Sequence, residues 1–308
     1  MFFGASMKKD MVDHPAPQMP MVSEPAFDLY GAIVPRHPVI ISVPHAGRDY
    51  TDALLESARV DLATLRRLED RWVDLITHPL IERGSNVIVA RTARALIDLN
   101  RNEREIDPAM IADLPRGAAV QSSAKLRGGL GLFPRRLPGA PELWRQPIRW
   151  DEARRRIDDI HRPYHAAIRQ SLLAARDAHG QAILIDLHSM PPVPSSAPGQ
   201  PSATMIFGDR FGRSASSRLV ALAADVAQGH GLLVAHNHPY AGDHVIERHG
   251  RPEQRMHAIQ IEIDRTLYLD PSLDGPGAGL PLVQKVIGDI VDTLADELRR
   301  PTYALAAE

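Results

Sequence analysis

The chain has 308 residues, 36 Lys+Arg against 38 Asp+Glu and a formal net charge of −2. That balance gives no electrostatic reason to expect nucleic acid or an anionic membrane as partner. It has no cysteine, which excludes disulfides, thiolate metal sites and a cysteine nucleophile, so any metal must be held by histidine nitrogen and carboxylate oxygen. Hydrophobic residues at 44% and charged residues at 24% are the balance of a globular protein.

Residues 1–24 carry lysines after a short apolar stretch, followed by prolines, and read as a loosely ordered arm rather than a secretory signal. No apolar run reaches the roughly 18 residues of a membrane span. Both observations lead to the expectation of a cytoplasmic protein. Residues 25–308 then read as one domain. Pro38-Val39-Ile40-Ile41-Ser42-Val43 is β-branched and nearly continuous, as a doubly buried strand should be, and stops at Pro44-His45-Ala46-Gly47. Residues 61–81 place Leu62, Leu65, Leu68, Trp72, Leu75 and Ile76 at helical spacing. Asn86–Ala90 is a second strand and Leu96–Leu99 a short third. The stretch 107–148 is rich in proline and glycine without clear periodicity, which predicts a lid or substrate loop in preference to a linker. Residues 150–179 predict a helix kinked or divided near Arg162 by Pro163. Strands at 182–187, 203–207, 231–235 and 257–263 follow, with helices at 213–229 and 282–300. This alternation predicts an α/β fold: a central, mostly parallel or mixed sheet covered by helices on both faces.

Two strands end alike, in IISVPHAG and ILIDLHSMP. Open α/β sheets bind ligands at the carboxyl ends of their strands, where His45 and His188 both fall, and two imidazoles in one context suit a metal. The carboxylate that completes the set stays open at this level among Asp70, Asp74, Glu69 and Asp49. Asp70 and Asp74 would share a helix face. Asp186, two residues before His188, lies on the same strand face and suits a supporting role. Asn100 and Arg101 follow a strand-like run, and a guanidinium there could grip a carboxylate or an oxyanion, with Asp98 as its alternative ion-pair partner. In Met256–Ile263, Gln260 and Glu262 share one face opposite Ile259, Ile261 and Ile263. A glutamate on a central strand beside a metal could act as general base, whereas on an edge strand it would be solvated. His236, His238, His244 and His249 mark a substrate-facing loop that also holds Tyr240. His161 and His165 lie four apart without the glutamate of an H-E-x-x-H site, so a structural tie through Tyr164 is the simpler reading.

VPHAG at 43–47, EDRWVD at 69–74, DLNRN at 98–102, HRPYHAAI at 161–168, DLHSMP at 186–191, NHPYAGD at 237–243 and QIEIDRTLY at 260–268 together resemble the N-formylglutamate amidohydrolase family. That family looks distantly similar to zinc carboxypeptidases and aspartoacylases, a likeness that implies a phosphorylase/hydrolase-like fold. The resemblance implies hydrolysis of N-formyl-L-glutamate, a small dianionic N-acyl amino acid, to formate and L-glutamate. It also implies one Zn²⁺ per chain held by His45, Asp70 and His188. The carboxypeptidase glutamate three residues after the first histidine is Arg48 here, so Glu69 and Asp49 stand behind Asp70 as alternatives. By the same likeness Glu262 is the general base, Asn100 and Arg101 grip substrate and polarise its carbonyl, and His257 and Tyr240 contact substrate. Composition and position add Arg135, with Arg127 and Arg136, as loop cations for the substrate carboxylates. Rival expectations are a hydrolase of another N-acyl amino acid or small amide, and a non-catalytic small-molecule binding protein on the same scaffold. Self-association is compatible with either.

Overall fold

Seven strands pair into one sheet in the computed structural model, which describes residues 25–194 and 201–300. The arm expected at 1–24 lies outside the described residues. The strands are β1 (Phe27–Tyr30), β2 (Val39–Val43), β3 (Asn86–Ala90), β4 (Ala182–Met190), β5 (Met205–Gly208), β6 (Val234–His236) and β7 (Met256–Asp264). Their order is β1-β3-β2-β4-β7-β5-β6. β3, β2, β4 and β7 run parallel; β1 pairs antiparallel with β3 and β5 antiparallel with β7, so the sheet is mixed.

Side-chain alternation sorts the strands into two cores. Val39, Ile41 and Val43 face one side, where Ile259, Ile261 and Ile263 join the apolar stripes of helices Ser217–Gly229 and Leu280–Arg299. Ile40, Ile88, Leu184 and Ala258 face the other, under helix Arg162–His179. Both faces are thus covered, and the central strands are buried along their whole length. The chain leaves β2 for β3 on one side and returns to β4 on the other. The carboxyl ends of β2 and β4 therefore form a switch point, where a crevice is expected.

Two local expectations are corrected and a third is met. The helix predicted over 61–81 is broken into Leu62–Arg66, a 3₁₀ turn Val73–Thr77 and a helix His78–Glu82. Trp72 takes a left-handed conformation (φ 57°) at the break, and the Asp70 amide bonds to the His45 carbonyl at 3.0 Å. Leu96–Leu99 forms turns, with the Asp98 amide bonded to the Leu132 carbonyl at 2.8 Å. The 150–179 helix does divide: a π-helical turn at Ile157–His161 precedes helix Arg162–His179, leaving Pro163 in the first turn, where its missing N–H matters least. Residues 107–148 are irregular apart from short helical turns at Pro108–Met110 and Ala124–Arg127, capped by Asp107 and Ser123. The segment is nevertheless packed: Met110, Ile111, Leu132 and Phe133 join the core under helix Arg162–His179. Among the described residues, no helix is long and apolar enough to cross a membrane.

Candidate functional site

His45 follows β2 directly, and Gly47 lets the turn that carries it lie against β3's exit: a Cβ on Gly47 would sit 2.0 Å from the Thr92 carbonyl oxygen. His188 lies on β4, in register with Glu262 on β7, while Asp186 pairs with Ser42 on one side and Gln260 on the other. Asp70 enters from the helix break. The His45 and His188 rings are 4.7 Å apart, and the donor atoms of His45, Asp70 and His188 lie within 4.8 Å of one another, all buried.

Hydrogen bonds decide how the imidazoles are presented. His45 Nε2 donates to Asp98 Oδ1 at 2.8 Å, and His188 Nε2 donates to Asp186 Oδ2 at 2.8 Å. Both rings therefore turn Nδ1 toward Asp70 Oδ2, at 3.5 Å from His45 and 2.8 Å from His188. His45 Nδ1 is buried without a hydrogen bond. A lone pair on that nitrogen faces a carboxylate oxygen, two acceptors aimed at one another, an arrangement that calls for a cation between them. Two histidines with carboxylate support plus one aspartate form a donor set that fits a zinc-like divalent ion. Burial works against charge on His188, but Asp186 and Asp70 hold its pKa well above the usual histidine value. Burial likewise opposes ionisation of Asp70, yet the hydrogen bonds and charges of His188 and His45 keep it well below the usual carboxylate range. Metal and proton thus compete for the same nitrogen.

The supporting layer is itself held. Arg94 donates to Asp98 Oδ2 at 2.8 Å and, with His45 and Arg101, outweighs burial to keep Asp98 ionised. Ser42 Oγ donates to Asp186 Oδ1 at 3.0 Å and, having one proton, accepts from the Tyr164 hydroxyl at 2.9 Å. Tyr164 thereby ties helix Arg162–His179 to the sheet directly behind His188. Glu69 and Asp49 are engaged elsewhere, Glu69 with Tyr50 and Arg71, Asp49 with Arg91. Asp74 does not share Asp70's environment: it forms a two-pronged pair with Arg48 at 2.7 and 2.8 Å.

The trio opens on a cavity of about 310 Å³ that Glu262, Asn100 and Tyr240 also line. β7 lies between β4 and β5, so Glu262 is on a central strand and 8% exposed. Gln260 Nε2 donates to Glu262 Oε1 at 2.8 Å; its own Oε1 accepts from the Asp243 amide at 3.0 Å, which fixes the amide's orientation. Burial, reinforced by Asp70 and Asp243, pushes the Glu262 carboxyl up to about 7, with His188 and Lys125 opposing. Asn100 is oriented by the Val245 amide, which donates to Oδ1 at 2.7 Å.

Other expected residues stand elsewhere. Arg101 is 2% exposed, pairs with Asp243 at 3.1 Å and donates to the Leu130 and Asn100 carbonyls, so it braces the wall and does not line the cavity. His257 is five residues before Glu262, roughly 16 Å along the strand, and pairs in register with Ile183 at the far end. Arg135 is taken up by Asp107 and Glu142 at 2.8 Å each. Segment 107–148 instead presents Lys125, Leu130, Leu137 and Pro138 to the cavity, whose further cations are Arg67, Arg94 and Arg265. Among these, only the charge of the loop as a whole was legible beforehand.

His161, His165 and His244 also bring donor atoms within 4.8 Å of one another. His165 is fully committed, donating from Nε2 to the Leu99 carbonyl at 3.0 Å and accepting at Nδ1 from His249 at 2.9 Å. His161 donates to the Arg101 carbonyl at 2.8 Å. The cluster therefore clasps both sides of Asn100, and burial together with Arg248 keeps these rings neutral.

A model of the N-formylglutamate amidohydrolase family matches residues 37–269, more than half of the chain and the span containing every residue of the cavity wall named above. N-formylglutamate deformylases of Pseudomonas aeruginosa and Pseudomonas putida are each 29% identical, over 240 and 247 residues, covering 76% of this chain and 83% of theirs. The crystal structure of N-formylglutamate amidohydrolase from Ralstonia eutropha JMP134 is 30% identical and superposes with a TM-score of 0.81, covering 89% of this chain and 99% of that one. A protein of Agrobacterium tumefaciens shares the fold at 17% identity, with a TM-score of 0.53 over 88% of this chain and 96% of its own. The likeness thus takes in the sheet, the switch point and the strands that carry His45, His188 and Glu262, and the chain belongs to the N-formylglutamate amidohydrolase family.

Proposed function

We propose that this chain hydrolyses the amide bond of an N-formyl acidic amino acid, with N-formyl-L-glutamate and water giving formate and L-glutamate. One observation carries the reading: a buried histidine–aspartate–histidine trio and a glutamate of raised pKa face the same cavity. His45, Asp70 and His188 would hold one ion, Zn²⁺ by the chemistry of the donors, which would polarise a carbonyl and acidify water. Glu262, with a pKa of about 7, takes a proton from the attacking water. It returns that proton to the amide nitrogen, so the amino acid leaves as a neutral amine rather than an amide anion. Burial, with the charge of Glu262 next in effect, raises the Tyr240 hydroxyl pKa. The phenol stays protonated and donates toward the substrate carbonyl or a carboxylate. Asn100, held on either side by the histidine cluster, lines the same space, with its Nδ2 donating to Gln260 Oε1 at 3.3 Å and its Oδ1 accepting from the Val245 amide at 2.7 Å.

The expected kinship with zinc carboxypeptidases belongs to this proposal and rests on the donor set and the facing glutamate. A cytoplasmic setting is part of the same reading, suited to a small soluble amino-acid derivative. The chain's relatives named as N-formylglutamate deformylases favour the formyl substrate over other N-acyl amino acids.

The deciding experiment measures formate release by the metal-loaded chain and by Glu262→Gln. The substitution should lower kcat by about 10²–10⁴-fold, the usual contribution of a general acid–base, while metal content stays at one ion per chain. A rate within a few fold of the parent would remove Glu262 from the mechanism.

A further inference from the structure

Four cations line the cavity, and their partners sort them. Arg94 is committed to Asp98 through two nitrogens at 2.8 Å. Lys125 lies 3.8 Å from Asp243 and 5.8 Å from the Tyr240 ring centre. Arg67 is exposed and donates to the Pro138 carbonyl at 3.0 Å. Arg265 is half-buried, and among the described residues its side chain has neither ion pair nor hydrogen bond; its Nε is enclosed and unpartnered.

The backbone beneath Arg265 is firmly set. It follows β7 directly, three residues beyond Glu262, and opens a 3₁₀ turn. Asp264 Oδ1 accepts from the Thr266 amide and hydroxyl at 2.9 and 2.7 Å, and the Arg265 carbonyl accepts from the Leu269 amide at 2.9 Å. Its Nε is enclosed and out of a ligand's reach, so the two Nη nitrogens, which are not enclosed, are the donors that an acceptor at this cavity wall can meet. The wall cannot supply one. Glu69 is taken by Arg71 and Tyr50, Asp70 by the histidines, Asp243 by Arg101, and Glu262 by Gln260. The missing acceptor must come from outside, and a planar anion is the shape that a guanidinium fork matches.

We propose that Arg265 is the anchor for a carboxylate of the substrate, with Lys125 supplying a second, more solvated positive charge. This rests on the hydrolase reading above and assigns the substrate-recognising role to residues outside the arginine group of the 107–148 loop. Arg135 has its own carboxylates, and neither Arg127 nor Arg136 lines the cavity. Arg265 takes no part in proton transfer; it sets which molecules dwell beside Glu262.

The test uses the metal-loaded full chain and three compounds: N-formyl-L-glutamate, N-formyl-L-glutamine, which lacks the side-chain charge, and N-formyl-4-aminobutyrate, which lacks the α-carboxylate. Arg265→Ala should lower kcat/KM for N-formyl-L-glutamate by about 10–100-fold, the range of a charge-assisted hydrogen bond at a partly buried site. Most of the loss should fall in KM, as for binding that is equal in ground and transition states. Preference over one of the two singly charged analogues should shrink by the same factor. Arg265→Lys should recover part of the affinity but not the whole, and metal content should not move. Both preferences surviving Arg265→Ala within about twofold would overturn the anchor while leaving the hydrolase intact. If the parent hydrolyses none of the three, the functional reading falls, and calorimetric titration with glutarate judges the anchor alone. Binding lost in Arg265→Ala supports it, and equal binding overturns it.

Discussion

Asp98 and Asp186 each take the outward proton of an imidazole, and that choice leaves Nδ1 of both His45 and His188 to face Asp70. Removing one carboxylate's charge should therefore weaken metal binding without touching a ligand. Asp98→Asn keeps an acceptor for His45 but loses the attraction that makes its ring electron-rich, and it leaves half-buried Arg94 without its carboxylate. Metal affinity measured by competition with a chelator should fall about 10–100-fold; an unchanged affinity would show that His45 is not a ligand. A second residue-scale expectation concerns pH. The base form of Glu262 is the active one, so kcat/KM should fall as pH drops through about 7 or somewhat below, because a bound divalent cation, taking the place of the His188 proton, puts more positive charge beside Glu262 than that proton does. The limb should vanish with the residual rate of Glu262→Gln. Both Asp186 and Glu262 were legible in the sequence, because strand periodicity assigns faces without knowledge of topology. Asp98 was read only as a partner for Arg101. It lies 3.8 Å from that residue, yet its short contacts are to His45 and Arg94, and the meeting of residues 45 and 98 depends on how two loops pack.

Elements place the ligands through their ends and interruptions. The 61–82 segment has a helical apolar period, and its stripe does pack: Leu65, Leu68, Val73, Ile76 and Leu80 are all buried. The interruption at Asp70–Trp72 was invisible because periodicity reports burial, while the break is made by a long-range bond from Asp70's amide to the His45 carbonyl and by Trp72's indole donating to the Asp274 carbonyl at 2.6 Å. An unbroken helix would have set Asp70 and Asp74 alike; instead one faces the histidines and the other Arg48. The segment 107–148 was hard to read for a related reason. Its apolar residues pack one by one into cores made by distant strands, helices and loops, with no repeat to betray them. At this scale Gly47 offers the sharpest test. Gly47→Ala drives a methyl to 2.0 Å from the Thr92 carbonyl oxygen, so backbone must move. Overpacking of this kind costs about 1–3 kcal/mol, and the shift should displace His45. A lower melting temperature accompanied by weaker metal retention is expected. Full stability with full retention would mean that the turn does not lie against β3's exit.

Over the whole molecule, the buried core strands and the two helical layers follow from alternating patterns in the sequence, whereas the strand order with its switch point and the buried histidine cluster required the packed structure. That cluster ties stability to pH. Burial, with the charges of Arg248 and its neighbours, depresses His161 to about 4 and His244 and His249 to about 3, against 6.5 for a free side chain. Below about 6.5 the unfolded chain takes up protons on these rings while the folded chain refuses them until about 4, so the unfolded state binds more protons and stability falls as pH falls through that window. At about 1.4 kcal/mol per unit, His161 alone accounts for roughly 2 kcal/mol at pH 5 relative to neutrality. Carboxylates held low, such as Asp98, lose their contribution only at far more acidic pH, and His188 acts with the opposite sign, since its raised pKa stabilises the metal-free fold at low pH and not at high. Comparing the parent with His161→Gln isolates the cluster, because the glutamine amide can still donate to the Arg101 carbonyl but does not titrate. The variant should be less stable at pH 7.5 by about 1 kcal/mol, the worth of an imperfectly replaced buried hydrogen bond. Its disadvantage should shrink steadily and reverse near pH 6, leaving the variant ahead by about 1 kcal/mol at pH 5. Urea denaturation curves running parallel for the two proteins between pH 7.5 and 5 would mean that His161 already carries its proton in the folded chain.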